Sequence, residues 1–499
     1  MPSVDVAKLL AEDSVEQEMG LPFRFGFPHE VNLDLNNSGV WETLDDGSRV
    51  WRLGIRCPGA FSVNLVYGDF QLPPGARLHL YSQGRDMLLG AFTEQNNKEH
   101  NKFATSPIKG ETTILEYYLP PGTTEPGRIS ITHVVHGYKP VFFKPGNLDK
   151  LLDFGDAGEC NINVNCPEGL EWGDEIRSVA LITLDFGARL CSGALVNNVR
   201  QDATPYFLTA NHCLWGDVET WVITFNYESP TCENIDGPLW MSVAGTTLRA
   251  NYSYSDFALL ELSEQPPDSY NVFYAGWSVV DEPASSTVGI SHPSGDIKKI
   301  AINDDPVRST GPFGTVGDSH WEVDNWELGT TEPGSSGSPL INWEHLIVGQ
   351  LHGGTASCTV IEPDYYGKLS ASWDFGGTPD SRLRDWLDPD NTGTLVLPGL
   401  GATTPRVNFV ASATMIWPPE TVDFSTFFPP EGGQWSWDFG DGEAALVKEP
   451  SHTYETAGVF DVHAEVLWEG EIYSKTREAY IYAMGDTIVA KNLQVETGS

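Results

Sequence analysis

The sequence predicts a mainly β protein of three consecutive blocks: a β-sandwich, a double antiparallel β-barrel and a second β-sandwich. Two observations support this prediction. Short runs of alternating apolar and polar residues recur along the chain, separated by turns rich in Pro and Gly. In the middle block, residues 151–400, only the stretch TPDSRLRDWLD has a clearly helical pattern, with Thr378 or Asp380 as its candidate N-cap.

Composition limits the partners of this 499-residue chain. Hydrophobic residues make up 40% and aromatic residues 11%, which suffices for packed cores and excludes collagen-like, coiled-coil and wholly disordered proteins. A net charge of -40 repels phosphate groups and anionic lipids, so we expect no nucleic acid and no membrane as partner. No segment approaches the roughly 20 apolar residues of a membrane helix, and the first twenty residues do not resemble a secretion signal.

The N-terminal block covers residues 1–150. Its strand-like runs include RVWRLGIRC, FSVNLVYGDF and TTILEYYL, and LPPGA and LPPGTTEPG form turns between strands. These features are typical of a β-sandwich, and no catalytic constellation occurs among them.

The middle block, residues 151–400, has the strand runs of an antiparallel barrel, including SVALITL, YFLTA, FALLEL and HLIVGQLHGG. It also contains an even set of cysteines, whereas Cys57 stands alone upstream. The set comprises Cys160, Cys166, Cys191, Cys213, Cys232 and Cys358. An even set indicates disulfides and an oxidising compartment, and the absence of a CxxC pair argues against a zinc site.

The C-terminal block, residues 405–484, contains QWSWDFGDG and SHTYETAGVFDVHAEVLW, which predict a second sandwich with tight turns. Residues 485–499 are expected to form a loose tail.

Three phrases of the middle block place His212, Asp256 and Ser336 in one known chain order of a nucleophilic triad. Serine is a weak nucleophile, so it needs an imidazole as base and a carboxylate to orient that imidazole. His212 precedes Cys213, and a disulfide from there to Cys191 would hold the histidine loop rigidly.

The turn around Ser336 has glycines on both sides, Gly334 and Gly337, so its backbone can expose a hydroxyl and aim N–H groups at one point. The N–H groups of Gly334 and Ser336 are the candidate oxyanion hole. A flexible Gly-Ser loop is the alternative interpretation of this turn.

The set CNINVNCPEG, CSGALVNN, YFLTANHC, SDFALLEL, TEPGSSGSP and GQLHGG resembles the secreted bacterial lysyl endopeptidases, a branch of the chymotrypsin-like serine proteases. This resemblance covers about residues 155 to 400 and implies a chymotrypsin-like double barrel that cleaves protein or peptide substrates without a cofactor or metal. It implies the triad His212, Asp256 and Ser336. It also implies three disulfides, which would pair Cys160 with Cys358, Cys166 with Cys232, and Cys191 with Cys213.

Cleavage after lysine needs an acid in the specificity pocket. Trypsin-like enzymes place one six residues before the nucleophile, but Thr330 stands there. The family pattern places the acid after the last cysteine, where Asp364 matches and Glu362 is a rival. A buried carboxylate would favour a lysine ammonium over a neutral side chain by several kcal/mol.

The same family pattern assigns substrate contacts to His352 and Gly353, on a strand that pairs with the substrate backbone. The family stacks a tryptophan on this histidine, and Phe313 is the nearest aromatic residue in the matching stretch. Because His352 could instead recognise an acidic residue, a Glu preference stays an alternative, as does an Arg preference.

By resemblance, residues 1–150 are an N-terminal propeptide and the protein is a secreted proenzyme. Ser335 stands where other zymogens have the aspartate that pairs with a new amino terminus, so that activation switch is absent. We expect cleavage between Lys150 and Leu151, because Lys144 precedes Pro145. The middle block contains only three lysines, Lys298, Lys299 and Lys368, which would limit self-digestion.

The C-terminal block resembles a PKD domain, an immunoglobulin-like sandwich often appended to secreted bacterial hydrolases. Trp435 and Trp437 could present an aromatic surface to an insoluble polymer or belong to the core. Asp438 and Asp441 could bind calcium or stabilise turns. A non-catalytic adhesive or matrix-binding protein is the alternative function for the whole chain.

Overall fold

A computed structural model of the protein describes residues 1–19, 21–142, 157–184, 186–401, 409–413, 415–426, 433–468 and 471–483. One compact unit contains Met1–Pro266 and Val272–Gly401, and residues 409–483 belong to a second. The expected cleavage site Lys150–Leu151, the start of the third block at 405 and the tail 485–499 lie outside the described residues.

The N-terminal block begins with a helix, Val6–Glu18, that the sequence analysis did not predict. The Asp5 carboxylate caps it by accepting a hydrogen bond from the Lys8 amide, 3.1 Å away. Two five-stranded antiparallel sheets follow. The first orders Val40–Thr43, Arg49–Arg56, Thr112–Leu119, Arg77–Ser82 and Leu88–Phe92. The second orders Gly26–Asp34, Arg128–Gly137, Ser62–Gln71 and Phe103–Ala104, with Ile108–Lys109 also paired to Ser62–Gln71.

Between these sheets lies an apolar core that includes Trp51, Tyr67 and Tyr117, all without exposed surface. Cys57 belongs to this core as a buried free thiol, and burial raises its pKa to about 11.

The middle block contains two sheets, as predicted for a double barrel. The first orders Ser242–Ala244, Val222–Phe225, Val179–Leu184, Arg189–Leu195, Tyr206–Ala210, Phe257–Leu262 and Thr246–Tyr252, all antiparallel. The short strand Phe23–Arg24 of the N-terminal block also pairs with Arg189–Leu195.

The second sheet carries the later part of the middle block. It orders Ile162–Asn163, Lys299–Asn303, Thr287–Ser291, Pro339–Asn342, Leu346–Gly354, Asp364–Lys368, His320–Val323 and Arg308–Thr310. Gly276–Ser278 pairs in parallel with Leu346–Gly354 and antiparallel with Val396–Leu397. A shared core fills the space between the two sheets, with Leu259, Trp277 and Ile347 fully buried.

Helices in the middle block are short: Gly173–Ile176, Leu369–Asp374 and Arg384–Leu387. The predicted late helix is therefore real but reduced to one turn. Its N-cap position is Leu383, whereas Thr378 donates a hydrogen bond to Asp380 and neither caps the helix.

The C-terminal block is a sandwich of two sheets. One orders Phe409–Ala411, Glu420–Thr426 and Ser451–Tyr454. The other orders Met415–Ile416, Glu471–Ala483, Gly458–Trp468, Gln434–Asp438 and Ala444–Ala445. Trp435 and Trp437 are 5% and 1% exposed, so both belong to the core. Asp441 accepts hydrogen bonds from His452 and the Glu443 amide, and Asp438 accepts one from the Gly440 amide, which are turn-stabilising contacts.

The predicted fold class, mainly β with an antiparallel double barrel between two sandwiches, is confirmed. Within the described part of the chain, no helix is both long and apolar enough to cross a membrane.

Candidate active site

His212 sits in a short 3-10 turn, Asn211–Cys213, that follows the strand Tyr206–Ala210. Its neighbour Cys213 is disulfide-bonded to Cys191 on the adjacent strand. The other two expected pairs, Cys160 with Cys358 and Cys166 with Cys232, are also bonded. The covalent link fixes the histidine turn to the sheet, as the sequence analysis expected.

Asp256 lies immediately before the buried strand Phe257–Leu262 and is almost completely buried. One carboxylate oxygen accepts the His212 backbone N–H at 2.9 Å, and the other accepts from His212 Nδ1 at 2.7 Å. The Asp256 carbonyl accepts from the Asn211 amide at 2.7 Å. These contacts fix the ring of His212 with Nδ1 toward the carboxylate and Nε2 away from it.

Ser336 lies in a turn that requires its glycines. Gly337 has φ of 81°, and a Cβ there would lie 2.2 Å from Thr209 Oγ1. The Ser336 carbonyl accepts from the Ser192 amide at 2.8 Å, next to the disulfide that holds His212. His212 Nε2 has no hydrogen-bond partner among the described residues.

The amides of Gly334 and Ser336 differ from those around them. Ser335, Gly337 and Ser338 donate their N–H groups to the carbonyls of Glu332, Leu351 and Ser335. In the described part of the chain, the N–H groups of Gly334 and Ser336 donate to no protein acceptor. Two donors are therefore available beside the Ser336 hydroxyl.

Asp364 begins a strand of the second sheet and has no exposed surface. Its Oδ2 accepts hydrogen bonds from Trp326 Nε1 and Thr331 Oγ1, both at 2.8 Å. Its Oδ1 has no hydrogen-bond partner of normal length among the described residues, and no cation there pairs with it. Burial raises the pKa of Asp364 to about 6, although the two hydrogen bonds and the Ala356 amide oppose this shift.

Gly354 lies opposite Asp364 in the adjacent strand. A Cβ at Gly354 would lie 2.0 Å from Asp364 Oδ1, so glycine at this position leaves the room that the buried oxygen needs. The rival acid Glu362 is exposed and lies outside this buried environment.

His352 lies beside Phe313, as expected, and also beside His212. Its ring packs against the ring of Phe313, with centroids 4.5 Å apart, and Phe313 is 55% exposed. The centroids of His352 and His212 are 5.7 Å apart, and His352 Nε2 lies 3.7 Å from Asp256 Oδ2. Gly353 has φ of 149°, and a Cβ there would lie 3.7 Å from the Phe313 ring. Burial lowers the pKa of His352, so the ring is neutral near pH 7.

His212, Asp256 and His352 form the group of three potential metal ligands found among the described residues, with ligand atoms within 4.8 Å of one another. The hydrogen bond between His212 and Asp256 already uses two of these atoms.

Family models match all three blocks. The model of the lysyl endopeptidase N-terminal domain matches residues 2–138, and that of the lysyl endopeptidase C-terminal domain matches residues 154–367. A PKD domain model matches residues 403–482. The chain belongs to the lysyl endopeptidase family.

Parts of the chain are similar to individual proteins. The lysyl endopeptidase of Pseudomonas aeruginosa is 27% identical over 363 residues, which cover 66% of this chain and 75% of that protein. Among solved structures, a thermostable serine protease AL20 from an extremophilic microorganism is 14% identical, covering 39% of this chain and 92% of AL20, with a TM-score of 0.28. The PKD1 domain of Vibrio anguillarum Epp is 24% identical, covering 16% of this chain and 98% of that domain, with a TM-score of 0.14.

As a lysyl endopeptidase family member, the protein is a serine endopeptidase, and its substrates are proteins or peptides. Four residues of the site escaped the sequence analysis: Ser319, His320, Trp326 and Thr331. Trp326 and Thr331 contact Asp364, and His320 contacts His352. His320, Trp326 and Thr331 lie 32 to 38 residues along the chain from these partners, so their contacts could be predicted only from the pairing of the strands.

The beginning of the described middle block is anchored to the site. Glu332, four residues before Ser336, accepts hydrogen bonds from the Gly158 amide at 2.8 Å and from Asn161 Nδ2 at 2.9 Å. The disulfide Cys160–Cys358 joins the same segment to the loop that precedes Asp364.

Proposed function

We propose that the protein is the proenzyme of a secreted endopeptidase that cleaves after lysine and uses His212, Asp256 and Ser336 as its triad. The observation that carries the catalytic part is the double contact of His212 with Asp256, which leaves His212 Nε2 available as a base. The second supporting observation is that the N–H groups of Gly334 and Ser336 donate to no protein acceptor among the described residues.

In this mechanism Ser336 Oγ attacks the carbonyl carbon of the scissile peptide bond while His212 Nε2 takes the hydroxyl proton. The amides of Gly334 and Ser336 donate to the oxyanion of the tetrahedral intermediate. His212 then gives the proton to the leaving amine, which completes the acyl-enzyme. Water, activated by the same imidazole, releases the acid and restores Ser336. Asp256 keeps His212 in one tautomer and stabilises its cationic form.

The lysine preference is supported by the uncompensated carboxyl of Asp364. Burying a carboxylate without a cation costs desolvation free energy. A ligand that brings a cation to Oδ1 offsets this cost and also forms a charge-assisted hydrogen bond. The ammonium of a lysine side chain is such a ligand. We assign Asp364 as the acid of the specificity pocket and His352, Gly353 and Phe313 as further substrate contacts.

The distribution of basic residues in the middle block favours lysine over arginine. Lys298, Lys299 and Lys368 are 0%, 2% and 1% exposed. Each is paired with a carboxylate, from Glu228, Asp296 and Asp281 respectively. By contrast, the side chains of Arg200 and Arg308 are 51% and 58% exposed. An enzyme that cuts after lysine but not arginine would not digest this surface.

The N-terminal block contacts the middle block as an inhibitory propeptide would. Its strand Phe23–Arg24 pairs with Arg189 and Leu190, and Ser192 on the same strand bonds to Ser336. Arg189 donates to the carboxylate of Glu16 at 2.8 Å and to the Pro22 carbonyl at 2.9 Å. The proposed cut between Lys150 and Leu151 would allow this block to leave.

The two blocks also share an apolar cluster. Its members from the N-terminal block are Phe25, Val141 and Phe142, and those from the middle block include Leu181, Leu190 and Ile297. Burial of apolar surface on both sides stabilises the proenzyme until the N-terminal block leaves.

Secretion is supported by the three disulfides, which need an oxidising compartment. A polymer contact of the PKD domain cannot use Trp435 or Trp437, because both are buried. Such a contact would use exposed apolar residues of that domain, such as Leu446 and Val447, which are 79% and 55% exposed.

The decisive experiment is a cleavage profile of the purified, matured protein on a mixed peptide library, with Ser336→Ala as control. Cuts after lysine alone, absent from the control, are expected. Cuts after arginine or glutamate would keep the triad and overturn the assignment of Asp364. A matured protein that neither cuts peptides nor reacts with a fluorophosphonate would support the non-catalytic binding protein instead.

A further inference from the structure

A second buried histidine lies behind His352. His320 has no exposed surface, and its Nε2 lies 2.9 Å from Nδ1 of His352. On its other side, His320 Nδ1 lies 2.7 Å from the hydroxyl of Ser319, which is also fully buried. His352 in turn places Nε2 3.7 Å from Oδ2 of Asp256. These side chains form a continuous row from Ser319 to the carboxylate that orients His212.

Strand geometry explains how the two histidines meet. His320 pairs with Gly367 on the strand Asp364–Lys368, and the strand that carries His352 pairs with the opposite edge of that strand. Because both strands flank the strand Asp364–Lys368, side chains of the two outer strands can meet across it. The register shifts between Leu351 and Gly353, a bulge that turns the side chain of His352.

The direction of the hydrogen bonds follows from the chemistry at one end. His352 Nε2 lies 3.7 Å from Asp256 Oδ2, which is beyond hydrogen-bond distance, but the negative charge of the carboxylate favours the tautomer of His352 that carries its proton on Nε2. Nδ1 of neutral His352 must then accept, which requires the proton of His320 to be on Nε2. Nδ1 of His320 accepts in turn from the Ser319 hydroxyl. All donors therefore point toward Asp256.

The charged and titratable groups around His320 are His352, Asp256 and Lys368, and burial lowers the pKa of His320 to about 4. Burial also lowers the pKa of His352, so both rings are neutral near pH 7. A second proton on His352 would place an N–H at Nδ1 directly against the N–H of His320 Nε2.

We propose that His320 is a positioning residue of the active site, which fixes the Nε2–H tautomer and the orientation of His352 beside the Asp256 carboxylate. Its consequence for catalysis rests on the proposed endopeptidase function. Without the His320 donor, His352 can carry its proton on Nδ1 and turn a lone pair toward Asp256, which disfavours the negative charge that stabilises the His212 cation.

Two substitutions of different hydrogen-bonding capacity test the proposal. His320→Gln keeps an N–H donor for His352 and an oxygen to accept from Ser319, whereas His320→Leu removes both. We expect His320→Leu to lower kcat on a lysyl peptide by about 10- to 100-fold with little change in KM, because the substrate contacts remain. We expect His320→Gln to stay within about threefold of the original enzyme.

A spectroscopic measurement separates this proposal from the proposed function. In full-length Ser336→Ala protein with 15N-labelled histidine, the ring nitrogens of His352 should show a proton on Nε2 and none on Nδ1. Adding His320→Leu should produce the Nδ1–H form or a mixture, and adding His320→Gln should not. A His352 that keeps its Nε2 proton in the Leu variant would overturn the proposal. A protein that cuts no peptide would overturn the proposed function but leave this measurement interpretable.

Discussion

The imidazole rings of His212 and His352 face each other, with centroids 5.7 Å apart and planes 25° from parallel. Both rings present a nitrogen to the same oxygen of Asp256, at 2.7 Å from His212 and 3.7 Å from His352. Two imidazole rings therefore lie beside the Asp256 carboxylate, and Phe313 packs against the second of them.

Removal of Phe313 should loosen His352. Aromatic pairs contribute roughly 0.5 to 1.5 kcal/mol beyond their buried area, so we expect Phe313→Ala to lower kcat/KM on a lysyl peptide by about 2- to 10-fold. Phe313→Trp keeps an aromatic face and serves as the matched control. Equal rates for the Ala variant and the original enzyme would show that the contact does not position His352.

Removal of the pocket charge should abolish the discrimination between lysine and neutral residues. We expect Asp364→Asn to lower kcat/KM on a lysyl peptide by about 10²- to 10⁴-fold, since the ammonium loses a buried charge-assisted partner. Glu362→Gln removes an exposed carboxylate of the same loop and should change the rate little. A large loss in the Glu362 variant alone would exchange the roles of the two acids.

Lysine preference should weaken in acid. The pKa of Asp364 is raised to about 6 by burial, so the carboxyl of the free enzyme takes up a proton as the pH falls through that value. The ratio of kcat/KM for a lysyl peptide to that for the matched norleucyl peptide should therefore fall below about pH 6. This ratio cancels any pH effect that is common to both substrates. A constant ratio between pH 5 and 8 would exclude Asp364 as the contact of the ammonium.

The ion pair between Glu16 and Arg189 should hold the N-terminal block in place. Arg189 is only 6% exposed in this pair, and loss of its partner should cost about 1 to 2 kcal/mol, a factor of about 5 to 30. We expect the full-length Glu16→Gln proenzyme to gain activity correspondingly faster. Lys8→Gln, on the exposed side of the same helix, is the control. An unchanged activation rate would show that this pair does not limit release.

An exposed lysine should make the matured enzyme digest itself. Arg200 lies in a turn with its side chain 51% exposed, so Arg200→Lys offers a target that the surface of the middle block lacks. Mass spectrometry of the incubated variant should detect a cut after position 200. Arg200→Gln, which also loses the pair with Asp390, should stay intact. An intact Lys variant under conditions that digest a lysyl peptide would argue against this explanation of the buried lysines.

Sequence patterns predicted the features that depend on neighbouring residues. Alternating runs predicted the sheets, and a glycine-flanked serine predicted the turn at Ser336. Features that depend on distant residues could not be found in this way. His320 meets His352 only because both strands flank Gly367, and Trp326 reaches Asp364 across 38 residues.

Local sequence patterns also failed to predict one helix and the start of another. The helix Val6–Glu18 has no clear apolar stripe, so its sequence resembles a polar surface segment. Near the late helix, Thr378 donates a hydrogen bond to Asp380, so neither side chain caps the helix. The helix therefore begins only at Arg384.

The disulfide Cys160–Cys358 determines which part of the chain would stay attached after the proposed cleavage. It spans 198 residues and holds the first described segment of the middle block against the loop before Asp364. After a cut upstream of Cys160, the disulfide would still link the new amino-terminal segment to the loop before Asp364. No covalent bond would then hold the N-terminal block. In an oxidising medium, the proposed cut would therefore release only the N-terminal block. In a reducing medium the disulfide would be absent, and the same cut would also leave the loop before Asp364 without its covalent link. Protein folded outside an oxidising compartment would then have a less ordered specificity pocket and would be a less selective protease.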